Sequence, residues 1–366
     1  MPLPFVLAGA ALASAAYGAK KGYDGYQSHS EADAIVASAQ QRYDEKREVF
    51  DAQESTATGA LEALGKKELK IGQRLGEFKV LADKLQQQLN EGRKNKLEVN
   101  IPKHKLQEIE EYSYTAVGVL GTVAGAGTAG AAAGFAVYGG VMALGAASTG
   151  TAISSLAGAA ATNATLAAIG GGSLATGGMG MAGGTAILGA AVAGPVLAIA
   201  GRAYNSHGEE ALRNARKADE EVNEAIEKLE RAIEHLGQTT VYVCRIQRTL
   251  VSLDDQFTLY FDHLKEIDGH LQYIKSHNLD VAQELGKLND EIMRIIENGY
   301  ALATILVDLI STPIFKVKVV DGEVAMDENG VPVMETDTEG SMILNDRALD
   351  HQLEKATSSA EHVKTA

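Results

Sequence analysis

From Tyr112 to Gly201 the chain carries no Asp, Glu, Lys, Arg or His. This run of about 90 residues is several times the about 20 apolar residues that cross a bilayer. It is built mainly from Ala, Gly, Thr and Ser, with Leu, Ile, Val, Met and Phe set singly among them. On an insertion scale those larger residues contribute only about −0.3 to −0.6 kcal/mol each at a helix centre. The segment Thr115 to Ala147 therefore has a modest drive into lipid, and Thr185 to Gly201, which contains Pro195, a stronger one. Small residues let helix backbones approach, and Gly121 with Gly125, Gly130 with Gly134, and Gly180 with Gly184 have the GxxxG spacing. These glycines and Pro195 are the expected packing positions of a helical hairpin over 112–201, broken around Ser148 to Thr165.

The remaining composition sets limits. With 366 residues, 39 Gly, no Trp and 5% aromatic residues, the chain is poor material for ordinary globular cores. A net charge of −15 without basic clusters argues against nucleic acid and anionic headgroups as electrostatic partners. One cysteine, Cys244, excludes an intrachain disulfide framework and fits a reducing compartment.

Two charged segments flank the run. The first arm (30–111) reads as a helix from Ser30 to about Gly92, with Asn100 and Pro102 preventing continuation. Leu61, Leu64, Ile71, Leu75, Phe78, Ala82, Leu85 and Leu89 follow heptad spacing, interrupted only at Glu68. In the second arm (202–312), Val243, Ile246, Leu250, Leu253, Phe257, Tyr260, Leu264, Ile267, Leu271 and Ile274 keep that spacing. Val281, Leu285, Leu288, Ile292, Ile295, Leu302, Leu306 and Leu309 continue the register. A straight helix from Val243 to Leu309 would reach roughly 100 Å. The pattern predicts an all-α fold, an elongated antiparallel coiled-coil stalk with the uncharged hairpin at its tip.

The ends differ from the arms. Residues 1–29 contain the apolar stretch Leu3 to Tyr17, followed rather than preceded by Lys20 and Lys21, which favours a packed N-terminal helix over a cleaved signal. Residues 313–366 read as an acidic flexible tail, with a small β-hairpin over Phe315 to Val324 around Asp321-Gly322 and a short helix near Leu344 to Ala356.

No catalytic constellation emerges. Gly125 to Gly130 satisfies GxGxxG, but a Gly-rich segment produces such matches by chance and no strand precedes it. Gly59 to Lys67 misses P-loop spacing, and Cys244 has no His or Asn arrangement beside it. The chain is read as a non-enzyme without metal or cofactor. His263, His270 and His277 recur every seven residues beside the second seam. Charging them in acid could loosen the stalk, although solvated flank residues explain the spacing more simply. Residues seven apart are about 10 Å apart along a helix, too far for one metal ion.

The order of long helix, Gly/Ala-rich hydrophobic hairpin and long helix resembles that of α-helical pore-forming toxins and apolipoprotein L-like proteins. The stretch from Thr149 to Gly201 is similar to the glycine-zipper cores of bacterial membrane-associated proteins. The resemblance implies membrane insertion and homo-oligomerisation, with a pore as one outcome, and carries over no functional residue. The expected partner is a lipid bilayer, reached at the inner membrane from the cytoplasmic side, with a second protein as an alternative partner through the coiled coil. The competing readings are a membrane-anchored adaptor for a remodelling or secretion partner and a soluble helical scaffold.

Overall fold

A computed structural model describes residues 23–91, 93–123, 132–139, 208–321, 323–325, 332–338 and 341–365. Among them the chain is all-α. Its helices are α1 (Tyr23–Asn90), α2 (Lys103–Val123), α3 (Gly208–Ser276), α4 (Val281–Ile310) and α5 (Asp346–Thr365), with a π-helical turn at Phe135–Gly139. Two-residue strands β1 (Val319–Val320) and β2 (Glu323–Val324) pair antiparallel around Asp321, whose φ is 55°. The expected packing positions Gly125, Gly130, Gly180, Gly184 and Pro195 lie outside the described residues, as do residues 1–22.

The chain divides into two compact units, Met1–Gln53 with Gly189–Glu234, and Glu54–Leu188 with His235–Ala366. In the first, α1 packs against α3 through small residues: Ala32, Ala211 and Ala215 form a buried cluster edged by Ile35, Val36 and Leu212. Small side chains let the two backbones approach closely. Ion pairs Glu31–Arg216, Arg42–Asp219 and Lys46–Glu230 flank the contact.

In the second unit α1 and α3 bury their heptad positions. Leu64, Ile71, Phe78 and Leu85 on α1 and Leu250, Phe257, Leu264 and Leu271 on α3 are all buried. Lys67 pairs with Asp254 at 2.6 Å, Arg74 donates to Thr258 at 2.8 Å, and Lys84 pairs with Asp268 at 2.6 Å. Partner numbers rise together here, as they do in the first unit, so in each unit α1 and α3 run parallel. This corrects the expected antiparallel pairing of the two arms. A heptad seam fixes which face is buried but not the direction of the partner. The antiparallel neighbours of α1 are instead α2 and α4, shown by Lys79–Glu110 with Gly76 against Ser113, and by Arg93–Asn289 with Tyr300–Asp83.

The second arm is also not one helix. α3 stops at Ser276, Asn278 takes φ 55°, and the Asp280 carboxylate accepts hydrogen bonds from the Ala282 and Gln283 amides at 3.0 and 3.1 Å to start α4. Asn tolerates the left-handed conformation and Asp is a strong N-cap, so this short segment reverses the chain. α4 then returns along α3, with His263 facing Glu291 and His270 facing Glu284. By contrast, α3 passes through Gly237, Thr239 and Thr240 without interruption, both Thr hydroxyls donating to the carbonyls of His235 and Leu236.

The C-terminal segment is packed, not a flexible tail. Ile314, Phe315, Met334, Met342, Leu349, Leu353, Ala356 and Ala360 are buried. Bridges join Phe315 to Leu344, Val317 to Met334 and Thr336 to Met342. Helix α5 packs on α4, while Asp350 accepts from Arg245 and Tyr242 of α3. Scattered large apolar residues hold this region despite its acidic composition.

Candidate functional site

The uncharged run begins inside α2, and in the second unit its first residues are seated on α1. Three glycines of α1 form the seat. A Cβ on Gly76 would overlap the Ser113 hydroxyl, one on Gly72 would overlap the Ala116 methyl and approach Tyr112 Cε1 at 3.1 Å, and one on Gly65 would overlap the Ala132 carbonyl. Gly72 and Gly76 have the same GxxxG spacing as the run, but they stand in a charged helix. The close approach is therefore made between the run and an arm.

Tyr112 is the anchor of the seat. Its side chain is fully buried, its hydroxyl donates to the Glu68 carbonyl at 3.1 Å, and its ring lies 6.1 Å from that of Phe135. Ile109, Ser113, Ala116 and Val119 complete the buried face of α2, and Ala132, Phe135, Ala136 and Val137 that of the following segment. The opposite face of α2 is open: Tyr114 is 63% and Val117 50% exposed. Apolar surface on both sides is unusual for a surface helix, which ordinarily turns a polar face to water.

Among the predicted glycines, Gly121 makes no close approach: a Cβ there would meet nothing within 4 Å. Gly134 is half-buried just before the π-helical turn.

Two buried carboxyl groups lie in the same part of α1 and α3. Asp254 is 1% exposed by its side chain and its Oδ2 is held by Lys67 at 2.6 Å and Arg74 at 3.0 Å. Glu68 occupies the seam position between Leu64 and Ile71 and is 3% exposed. Burial alone pushes the Glu68 carboxyl well above the usual carboxylate range. The interruption of the heptad at Glu68 is thus an ionisable group inside the core.

The three histidines do not form one cluster. His263 Nε2 lies 3.3 Å from Glu291 and His270 Nε2 3.4 Å from Glu284, so each of these two faces a carboxylate across the α3–α4 hairpin. His277 sits at the turn, with Nδ1 2.9 Å from the Tyr273 carbonyl. Charging the first two would draw the hairpin together, opposite to the loosening considered for the sequence alone.

Among the described residues no group of His, Cys, Asp or Glu is arranged to hold a metal ion, and no helix is long and apolar enough to cross a membrane. For α2 the reason is local: its first half carries Lys103, Lys105, Glu108, Glu110 and Glu111. Comparison with protein-family models, curated proteins and solved structures finds no match to this chain.

Proposed function

We propose that this chain is a non-enzymatic, membrane-associated helical protein whose uncharged segment, stowed at its start against α1, leaves that seat to enter a bilayer and assembles there with other copies. The inner membrane, approached from the cytoplasm, is the proposed target, and a pore is one product of assembly. The observation supporting this reading is the glycine seat itself. On the α1 side it is backbone, at Gly72 and Gly76, that meets Ser113 and Ala116, while the large side chain of the contact, Tyr112, comes from α2 alone. Such a contact removes apolar surface from water, at about 25 cal/mol per Å², and at the two glycines no α1 side chain interlocks with α2. Small faces of the same kind suit helix association in lipid.

The alternative is a scaffold or adaptor in which α2 never leaves α1, favoured by the Tyr112 hydrogen bond to the α1 backbone. A reversible lock separates the two. A Cβ at position 76 would stand 3.6 Å from Ser113 Cβ, inside the disulfide range of about 3.5–4.5 Å. Gly76→Cys with Ser113→Cys, in a Cys244→Ser background, would tie α2 to its seat when oxidised. The stowage reading expects the reduced protein to float with phosphatidylcholine–phosphatidylethanolamine vesicles, the oxidised protein to stay behind, and dithiothreitol to restore binding. Equal flotation in both states, or none in either, overturns it. Release of an entrapped dye by the reduced form distinguishes a pore from an anchor.

A further inference from the structure

We propose that opening of the seat between α1 and α2 is coupled to loss of one proton from Glu68, so that rising pH loosens the seat and acid holds it shut. What opening leads to rests on the stowage reading above. The coupling itself concerns the folded chain alone.

Glu68 stands one helical turn from both Gly65 and Gly72, two of the three points where the uncharged run closes on α1. Tyr112 reaches across from α2 to the Glu68 backbone and is near enough to feel a charge on its carboxyl. Among the described residues no ion pair joins a cation to Glu68, and Lys70, two residues on, is exposed. Lys67 and Arg74 both bind Asp254 of α3, while Lys66 lies 3.7 Å from Glu62. On the neighbouring helices Tyr112 brings no positive charge, and Asp254 takes Lys67 and Arg74 for itself. An ionised Glu68 would be a carboxylate out of water beside the uncharged half of α2, a state proteins avoid by keeping the proton.

Lifting α2 removes Tyr112 from above Glu68 and admits water, and a hydrated Glu ionises near about pH 4.3. The seated carboxyl, held well above the usual range by burial, ionises later. The seat is therefore fully stable below the hydrated value and loses stability as pH rises through the seated one. Between the two, one proton is released per opening, so the open-to-seated ratio climbs by up to about tenfold per pH unit and then levels.

Thiol labelling reads this without lipid. Ser113→Cys in the Cys244→Ser background places a single thiol at the buried Ser113 position in the seat. Its rate with N-ethylmaleimide is measured from about pH 5 to about pH 9, beside the same protein carrying Glu68→Gln. Thiol ionisation cancels in the ratio of the two rates. That ratio, the protein with Glu68 intact over the Glu68→Gln variant, should rise by up to about tenfold per pH unit over part of the range. A ratio independent of pH overturns the coupling. If Glu68→Gln does not fold, hydrogen exchange over residues 109–120 of the unmodified chain, corrected for intrinsic pH dependence, replaces it. Protection should fall as pH rises, and constant protection overturns the proposal. A flat profile with a working disulfide lock removes the proton coupling and keeps the stowage reading; a sloping profile with an ineffective lock does the reverse.

Discussion

Within the second unit α1 is buried on two sides built in opposite ways. Its seam presents Leu64, Ile71, Leu75, Phe78 and Leu85, all fully buried. Its other side offers Gly65, Gly72 and Gly76, where the run's own atoms fill the space a side chain would take. The first arrangement gains from area and interlocking, since a fully buried large apolar side chain contributes about 1.5–3 kcal/mol. The second takes its large buried side chains from the run alone, Tyr112 and Phe135 among them, and depends on fit where the glycines stand. One helix thus carries two contacts, one lined by its own large side chains and one where its glycines admit the neighbour's atoms.

The strongest test of that contrast is Phe78→Ala. The Phe78 ring stands edge-on to Phe257 at 5.1 Å, Phe261 at 5.9 Å and Tyr300 at 5.1 Å, and the missing Cβ of Gly299 leaves room for it. Emptying this position should cost about 3–5 kcal/mol, read as a fall in the urea midpoint of the second unit by circular dichroism. A cost below about 1 kcal/mol would mean that the seam does not anchor the unit and that the two faces of α1 are alike.

That seam was the most legible part of the chain, because burial of every third and fourth residue is written directly as apolar spacing. Its geometry was not. Ile274 and Val281 are seven residues apart across the α3–α4 turn, so the heptad phase survives a reversal of the chain and makes two helices read as one. Asn278 and Asp280 carried the stop and start signals, but a register that resumes unbroken outweighs two polar residues. The glycine seat was hidden for a different reason. Single glycines in a charged helix look like local weak points, and only a neighbour's position shows that Gly72 and Gly76 are contacts. Glu68 was visible as a break in the pattern, yet its burial is set by neighbours distant in sequence, and Tyr112, which bonds its backbone carbonyl, is placed by the turn between α1 and α2. In the C-terminal region, Phe315 and Leu349 are separated by acidic and turn-forming residues that lower the average without changing what those two side chains bury.

A matched pair of substitutions sharpens the comparison at smaller scale. Gly72→Ala puts a methyl group into Ala116 and against Tyr112, so α2 must shift, at about 1–3 kcal/mol, partly offset by up to about 1 kcal/mol of helix propensity. Gly121→Ala meets open space and should be neutral or stabilising by up to about 1 kcal/mol. Hydrogen exchange over 109–120 should accelerate in the first and not in the second, with the Phe78 region unchanged in both. Equal effects at the two glycines would show that the seat is not a specific fit.

The smallest effect belongs to the α3–α4 hairpin, where His263 and His270 face Glu291 and Glu284 from largely exposed positions. Exposed pairs contribute at most about 1 kcal/mol and are screened by salt. They are ion pairs only while the imidazole carries its second proton. Changing both to Gln should therefore leave stability at alkaline pH untouched and remove a small, salt-sensitive increment in acid, measured by parallel urea titrations. The sign matters more than the size. If the double variant were instead the more stable protein in acid, protonation would be opening the hairpin, and acid would act on the arms in the opposite sense to its action on the Glu68 seat. A loss in acid places both under the same rule, with protons holding each of the two contacts closed.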